Sequence, residues 1–183
     1  MEIKIGTKSM LKVLTVLSWI IFIGLCIEVG GILFNTAFSF FKPIGAKYFW
    51  NYLDLSSVYQ FDKGYFLVVT FFMVVVAIMK AIMFYLIIKI LLNKELTIVQ
   101  PFTELVRKFI IKVASLSIGI GIFSKWGSGY VEWLQKQSVI FPDTQYLKLD
   151  GADVWLFMGV ILLVIAYVFK RGIEIQQEND LTV

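Results

Sequence analysis

The sequence contains no histidine, which removes at once the commonest general base, the usual proton shuttle and the commonest metal ligand. It has a single cysteine, Cys26, so neither an internal disulfide nor a thiolate zinc site can form, and the redox compartment stays open. Charge is scarce too: 16% of the 183 residues are charged against 59% hydrophobic, and the mean hydropathy is +0.83. A soluble domain carries about a quarter charged residues. These shortages exclude water as the main solvent and point to a membrane protein.

The usual signatures of membrane-embedded chemistry are also missing. There is no serine-histidine arrangement, no Gly-x-Gly-Asp, no His-Glu-x-x-His and no Gly-x-x-x-x-Gly-Lys-Ser/Thr. The sequence therefore predicts no catalytic residue, no resident metal, no cofactor and no enzyme. Asp150 and Asp153, in LDGAD, offer oxygens to a divalent cation or, alternatively, place acids near the start of a helix.

What is present is apolar sequence in long runs. A helix rises about 1.5 Å per residue and must cross about 30 Å of hydrocarbon, so roughly 20 apolar residues span. Stretches at about 11–34 and 65–92 meet this length; those at about 109–123 and 154–169 are shorter and lean on flanking side chains such as Lys112 and Trp155. The expected architecture is all-α, one polytopic domain over 1–183 with four transmembrane helices. Lys4, Lys8 and Lys12 ahead of the first run imitate a secretory signal. Leu25 occupies the place a small residue would need before a lipoprotein cysteine, and the run continues to Phe34, so an uncleaved helix is expected.

Basic residues set the orientation. Ten fall on one side (Lys4, Lys8, Lys12, Lys89, Lys94, Arg107, Lys108, Lys112, Lys170 and Arg171), six on the other (Lys42, Lys47, Lys63, Lys125, Lys136 and Lys148), and Lys80 sits in mid-span. Both termini are therefore expected in the cytoplasm. The net charge of +4 follows from this bias; no dense basic arm is present, and direct nucleic-acid binding is not predicted. The outer connections, 42–64 and 124–153, are rich in aromatics that suit a headgroup-level belt or, alternatively, a ligand-binding outer surface. Residues 130–137 suit a short interfacial helix.

Two intramembrane features stand out. Glu28 lies deep in the first run, on a stripe with Gly24, Gly31 and Asn35, and Lys80 lies near the middle of the second. A charge there is costly unless paired, so a buried Glu28–Lys80 pair is expected. It reads either as a registry lock between helices or as part of a proton or ion path. In the third run the pairs Ser115/Gly119 and Ser117/Gly121 read as close helix packing, or as a broken helix lining a substrate site, since Gly127 and Gly129 follow.

The two halves echo each other. Asn followed by acid-Leu-Thr and a β-branched residue occurs at 93–98 and again at 179–183, which is weak support for two helical hairpins related by an axis along the membrane normal; chance similarity of two helix ends is the other reading. Pro101 suits a helix start, with Glu104 near its positive end. Lys170 and Glu174 are spaced for an ion pair, while Glu174 and Glu178 repel at the same spacing.

The ending Phe169-Lys-Arg-Gly-Ile-Glu-Ile-Gln-Gln-Glu-Asn-Asp-Leu-Thr-Val183, with Pro101-Phe102-Thr103 between the second and third spans, resembles a family of small bacterial four-span membrane proteins known only as a domain of unknown function. The matching positions are Pro101, Phe102, Thr103, Arg171, Gly172, Glu174, Glu178, Asn179, Asp180 and Leu181, and no catalytic role comes with them. The resemblance implies a bacterial inner-membrane location and, because such genes often adjoin one for a small Xre-type helix-turn-helix regulator, a regulatory partnership. The expected function is thus a membrane-embedded regulatory or scaffold protein engaging a cytoplasmic partner through the 93–108 loop and the tail. The alternative is a small transporter or channel subunit using Glu28 and Lys80.

Overall fold

A computed structural model describes residues 7–93, 102–142 and 144–180. They form α1 (Thr7–Phe41), α2 (Ile44–Lys47), a 3-10 turn (Trp50–Tyr52), α3 (Ser56–Phe61), α4 (Lys63–Leu91), α5 (Glu104–Lys136) and α6 (Ala152–Asp180). Among the described residues the structure is all-α, and three helices are long and apolar enough to cross a membrane: Ser9–Phe41, Lys63–Leu91 and Ala152–Asn179. The fourth expected span, 109–123, lies inside α5, whose 33 residues are not among these three.

Local chemistry explains the helix limits. α1 outruns its expected end because its polar residues are satisfied within the helix. Thr15, Ser18, Thr36 and Ser39 donate their hydroxyls to carbonyls four residues back at 2.7–2.8 Å, so these hydroxyls do not need water. The helix stops two residues before Pro43, whose ring disfavours a helical predecessor. The Asp62 carboxylate caps α4 by accepting from the N–H groups of Gly64 and Tyr65 at 2.6 and 3.1 Å. Thr103 caps α5, its hydroxyl accepting from the Val106 N–H at 3.3 Å, with Glu104 in the first turn.

The long helices pack in chain order, α1 on α4, α4 on α5 and α5 on α6. Small residues set the last contact: Gly121 faces Leu156 and the Ala152 carbonyl, while Gly159 faces Ile118 and the Ala114 carbonyl. A side chain at either glycine would force the two backbones apart. α5 is unbroken through Gly127 and Gly129, against the broken-helix reading, and residues 130–137 continue it up to Lys136 instead of forming a separate interfacial helix.

The outer connections differ most from expectation. They fold into a packed cap over one end of the helices. Phe66 of α4 sits among Tyr59, Phe49 and Phe40, at ring-centroid distances of 5.2, 5.8 and 6.3 Å. Leu55, Val58, Leu147 and Leu149 are fully buried beside them. The Ile140 N–H donates to the Ser57 hydroxyl at 3.1 Å, tying the two connections together. The expected aromatic belt therefore divides: Phe49 and Tyr59 are core, whereas Tyr48, Tyr52, Trp126 and Tyr146 are exposed. Between Phe49 and Tyr59 the chain turns through Asn51 and Tyr52, which take left-handed backbone (φ 56° and 60°).

Candidate functional site

At the end of the bundle opposite the cap, α5 begins beside α6. Phe102 precedes the Thr103 cap, and its ring lies 5.2 Å from the Phe169 ring, edge to face. It also covers Gly172: a Cβ at that glycine would come within 2.5 to 2.9 Å of three Phe102 ring carbons, well inside the ordinary contact distance of about 3.5–4.0 Å. Two residues of the tail-and-loop motif thus meet, and the glycine is there because the ring needs its space.

Around this contact the charges pair locally. Arg107 donates to Glu104 at 2.9 and 3.0 Å. Glu174 receives Arg171 at 2.8 Å and Lys170 at 3.7 Å, so the expected i, i+4 pair forms and is joined by a shorter i, i+3 pair. α6 continues through Glu178 and Asn179 to Asp180 despite the like charges at 174 and 178. Pro101 and Leu181, and the echoing stretches at 94–98 and 181–183, lie outside the described residues.

The second expected constellation is arranged differently from its reading in the sequence. Glu28 and Lys80 are both half-buried, but among the described residues no ion pair within 4 Å joins them. The Lys80 ammonium instead lies 5.7 Å from the centre of the Trp155 ring, a cation over an aromatic face. On the Glu28 stripe, Gly31 packs against the Trp50 ring, Asn35 donates to the Gly31 carbonyl at 2.8 Å, and Gly24 faces open space. The stripe therefore meets protein at Gly31 and faces open space at Gly24.

Four buried polar atoms, Trp50 Nε1, Tyr59 Oη, Ser117 Oγ and Ser124 Oγ, make no hydrogen bond among the described residues. Asp153 stands in the first turn of α6, and no cluster of three or more metal-ligating side chains occurs among the described residues. In the cap, the Asp54 carboxyl is held below its ordinary range by the Ser56 hydroxyl and backbone N–H.

Sequence reasoning missed both aromatic partners. Phe102 and Gly172 were singled out separately, and the signal that joins them is a glycine inside an otherwise continuous helix opposite an aromatic residue at a loop end. In the sequence Trp155 reads only as an interfacial anchor.

This is the architecture of a multi-pass helical membrane protein. Residues 50–183 match the family described as Protein of unknown function (DUF2975), and the chain belongs to that family. The match begins at the cap's 3-10 turn and leaves α1 outside. No curated protein and no solved structure matches.

Proposed function

We propose that the chain is a four-span protein of the bacterial inner membrane, with both termini in the cytoplasm, acting as a non-enzymatic regulator or scaffold. The packing of α5 supports four spans rather than three. It runs antiparallel between α4 and α6, with Gly119 against Met79, Gly127 against Phe72 and Gly121 against Leu156. A helix held in register along two spanning neighbours crosses the same slab, and 33 residues give about 50 Å for about 30 Å of hydrocarbon. The basic bias then supports a cytoplasmic 93–108 segment and tail. Reporter fusions at residues 140 and 183 test this: a cytoplasmic reporter is expected to work only at 183, and a signal at 140 would overturn the topology.

The observation that carries the regulatory reading is the projection of α6. Phe102, two residues before α5 begins, sits at Gly172, yet α6 runs on to Asp180. Beyond the buried Ile173 it continues for seven residues, about 10 Å of helix, and exposes Ile175. Such a projecting helix suits capture by a cytoplasmic partner, and a small helix-turn-helix regulator is the partner proposed. Deleting residues 175–183 should abolish co-purification of that regulator while leaving the stability of the purified protein unchanged. Loss of stability with binding retained would make the tail an internal clasp.

Lys80, half-buried inside a helix long and apolar enough to span the membrane, supports a transporter as the second reading. Glu28→Gln separates the two, because a transporter would lose flux and a regulator would keep its partner.

A further inference from the structure

We propose that the cleft between the end of α4 and the start of α5 binds the headgroup of an anionic phospholipid. Three lysines ring it: Lys89 in the last turn of α4, and Lys108 and Lys112 one turn apart on α5. The floor is apolar, with Leu86, Ile90 and Phe109. All three lysines are exposed and make no ion pair among the described residues. Glu104, one turn before Lys108, is already taken by Arg107 at 2.9 Å. The cleft is thus a concentration of positive charge with no described carboxylate to balance it, over a greasy base.

The size and setting favour a lipid over a soluble ligand. At about 190 Å³ the cleft is smaller than the roughly 300 Å³ at which pockets begin to enclose whole small molecules. It suits a phosphodiester and little more. The rest of the ligand has a path: Lys89, Ile82, Ile78 and Phe71 follow at spacings of seven, four and seven, one stripe of α4, and all four are exposed. A headgroup held by the lysines would lay its acyl chains along that stripe. Basic pockets at helix ends recognise anionic headgroups in this way. The inference requires only that α4 spans the membrane, and it does not depend on the regulatory reading.

The test uses the purified full-length chain in detergent, titrated with phosphatidylglycerol or phosphatidylcholine, with bound lipid counted by native mass spectrometry. The wild type should hold one phosphatidylglycerol in preference to phosphatidylcholine. The variant K89Q/K108Q/K112Q should bind it at least about tenfold more weakly, and K89R/K108R/K112R should restore binding. The control K42Q/K47Q/K63Q, at the cap end, should bind as the wild type. Equal binding of phosphatidylcholine, or an equal loss in the control, would reduce the effect to general surface charge and overturn the proposal. Displacement of the lipid by equimolar inorganic phosphate would make this a soluble-anion site and overturn it too. If the triple glutamine variant fails to fold, K108Q and K112Q singly should each weaken phosphatidylglycerol binding severalfold, and unchanged affinity in both would be as decisive.

Discussion

Gly172→Ala is the most discriminating perturbation of the cytoplasmic end. In the interior of a helix, alanine in place of glycine is favourable by roughly 0.8–1.0 kcal/mol. Against this, the added Cβ would lie 2.5 Å from Phe102 Cδ1, 2.7 Å from Cγ and 2.9 Å from Cε1. The ring must retreat by about 1 Å to regain ordinary contact, giving up its seat on Phe169. Forced repacking of this kind costs about 1–3 kcal/mol. The clash should win, with net destabilisation of about 1 kcal/mol, or roughly 2–4 °C of melting temperature for a chain of this size.

The sign should reverse once the ring is gone. In a Phe102→Ala background nothing opposes the new methyl, and Gly172→Ala should stabilise by about 1 kcal/mol. The coupling between the two sites is therefore about 2 kcal/mol, large for a pair of substitutions and diagnostic of direct contact. The cycle is read from equilibrium unfolding of the four proteins in mild detergent, followed by circular dichroism. Stabilisation by the same amount in both backgrounds would show that the Phe102 ring does not lie on Gly172, and would remove the tie between α5 and α6 on which the projecting-helix argument rests.

Two further outcomes are expected. Lys80→Met and Trp155→Leu should couple by about 0.5–2 kcal/mol in the same unfolding assay, and more strongly than Lys80→Met couples with Glu28→Gln; the opposite ranking would show that Lys80 spends its time on the carboxylate. Asp54 has a folded pKa below its ordinary value of 3.8 because Ser56 hydrogen-bonds the charged form. The stability it contributes is therefore fully present above the unfolded value and lost as pH falls through the lower folded one. Asp54→Asn should lower stability slightly at neutral pH, a small effect because the group is exposed, and flatten the acid limb of a stability-against-pH curve below about pH 4 to the same extent.

The helices were legible and their neighbours were not. Runs at 65–92 and 154–169 announce α4 and α6 because lipid demands continuous apolar sequence, and that demand is local. α1 was read seven residues short because Asn35, Thr36 and Ser39 look like an ending. Their bonds to carbonyls four residues back are invisible without the helix that makes them. The cap was opaque for a different reason: Phe49, Tyr59 and Leu147 come from three short segments with no period, and only folding brings them around Phe66. Lys80 invited Glu28, the acid deep in the other long apolar run, as its partner. Trp155, 75 positions away, reaches it through the α4–α5–α6 packing order, which hydropathy cannot give.

The two ends of the molecule are built to different standards, and the difference bears on regulation. The cap end is locked by Phe66 among three aromatic rings and by the Ile140 to Ser57 bond. At the other end the start of α5 is seated on α6 by the Phe102 ring on Phe169 and Gly172. The same first turns of α5 carry Lys108 and Lys112 of the proposed lipid cleft. A partner gripping α6 beyond Gly172 and a headgroup gripping α5 would then bias one shared contact from its two sides. Linkage requires the effect to be reciprocal: whatever factor phosphatidylglycerol applies to partner affinity, the partner must apply to phosphatidylglycerol affinity. Phe102→Ala should reduce that factor towards one while leaving each separate affinity measurable. A factor unchanged by the loss of the ring would mean that the two sites communicate by some route other than this contact.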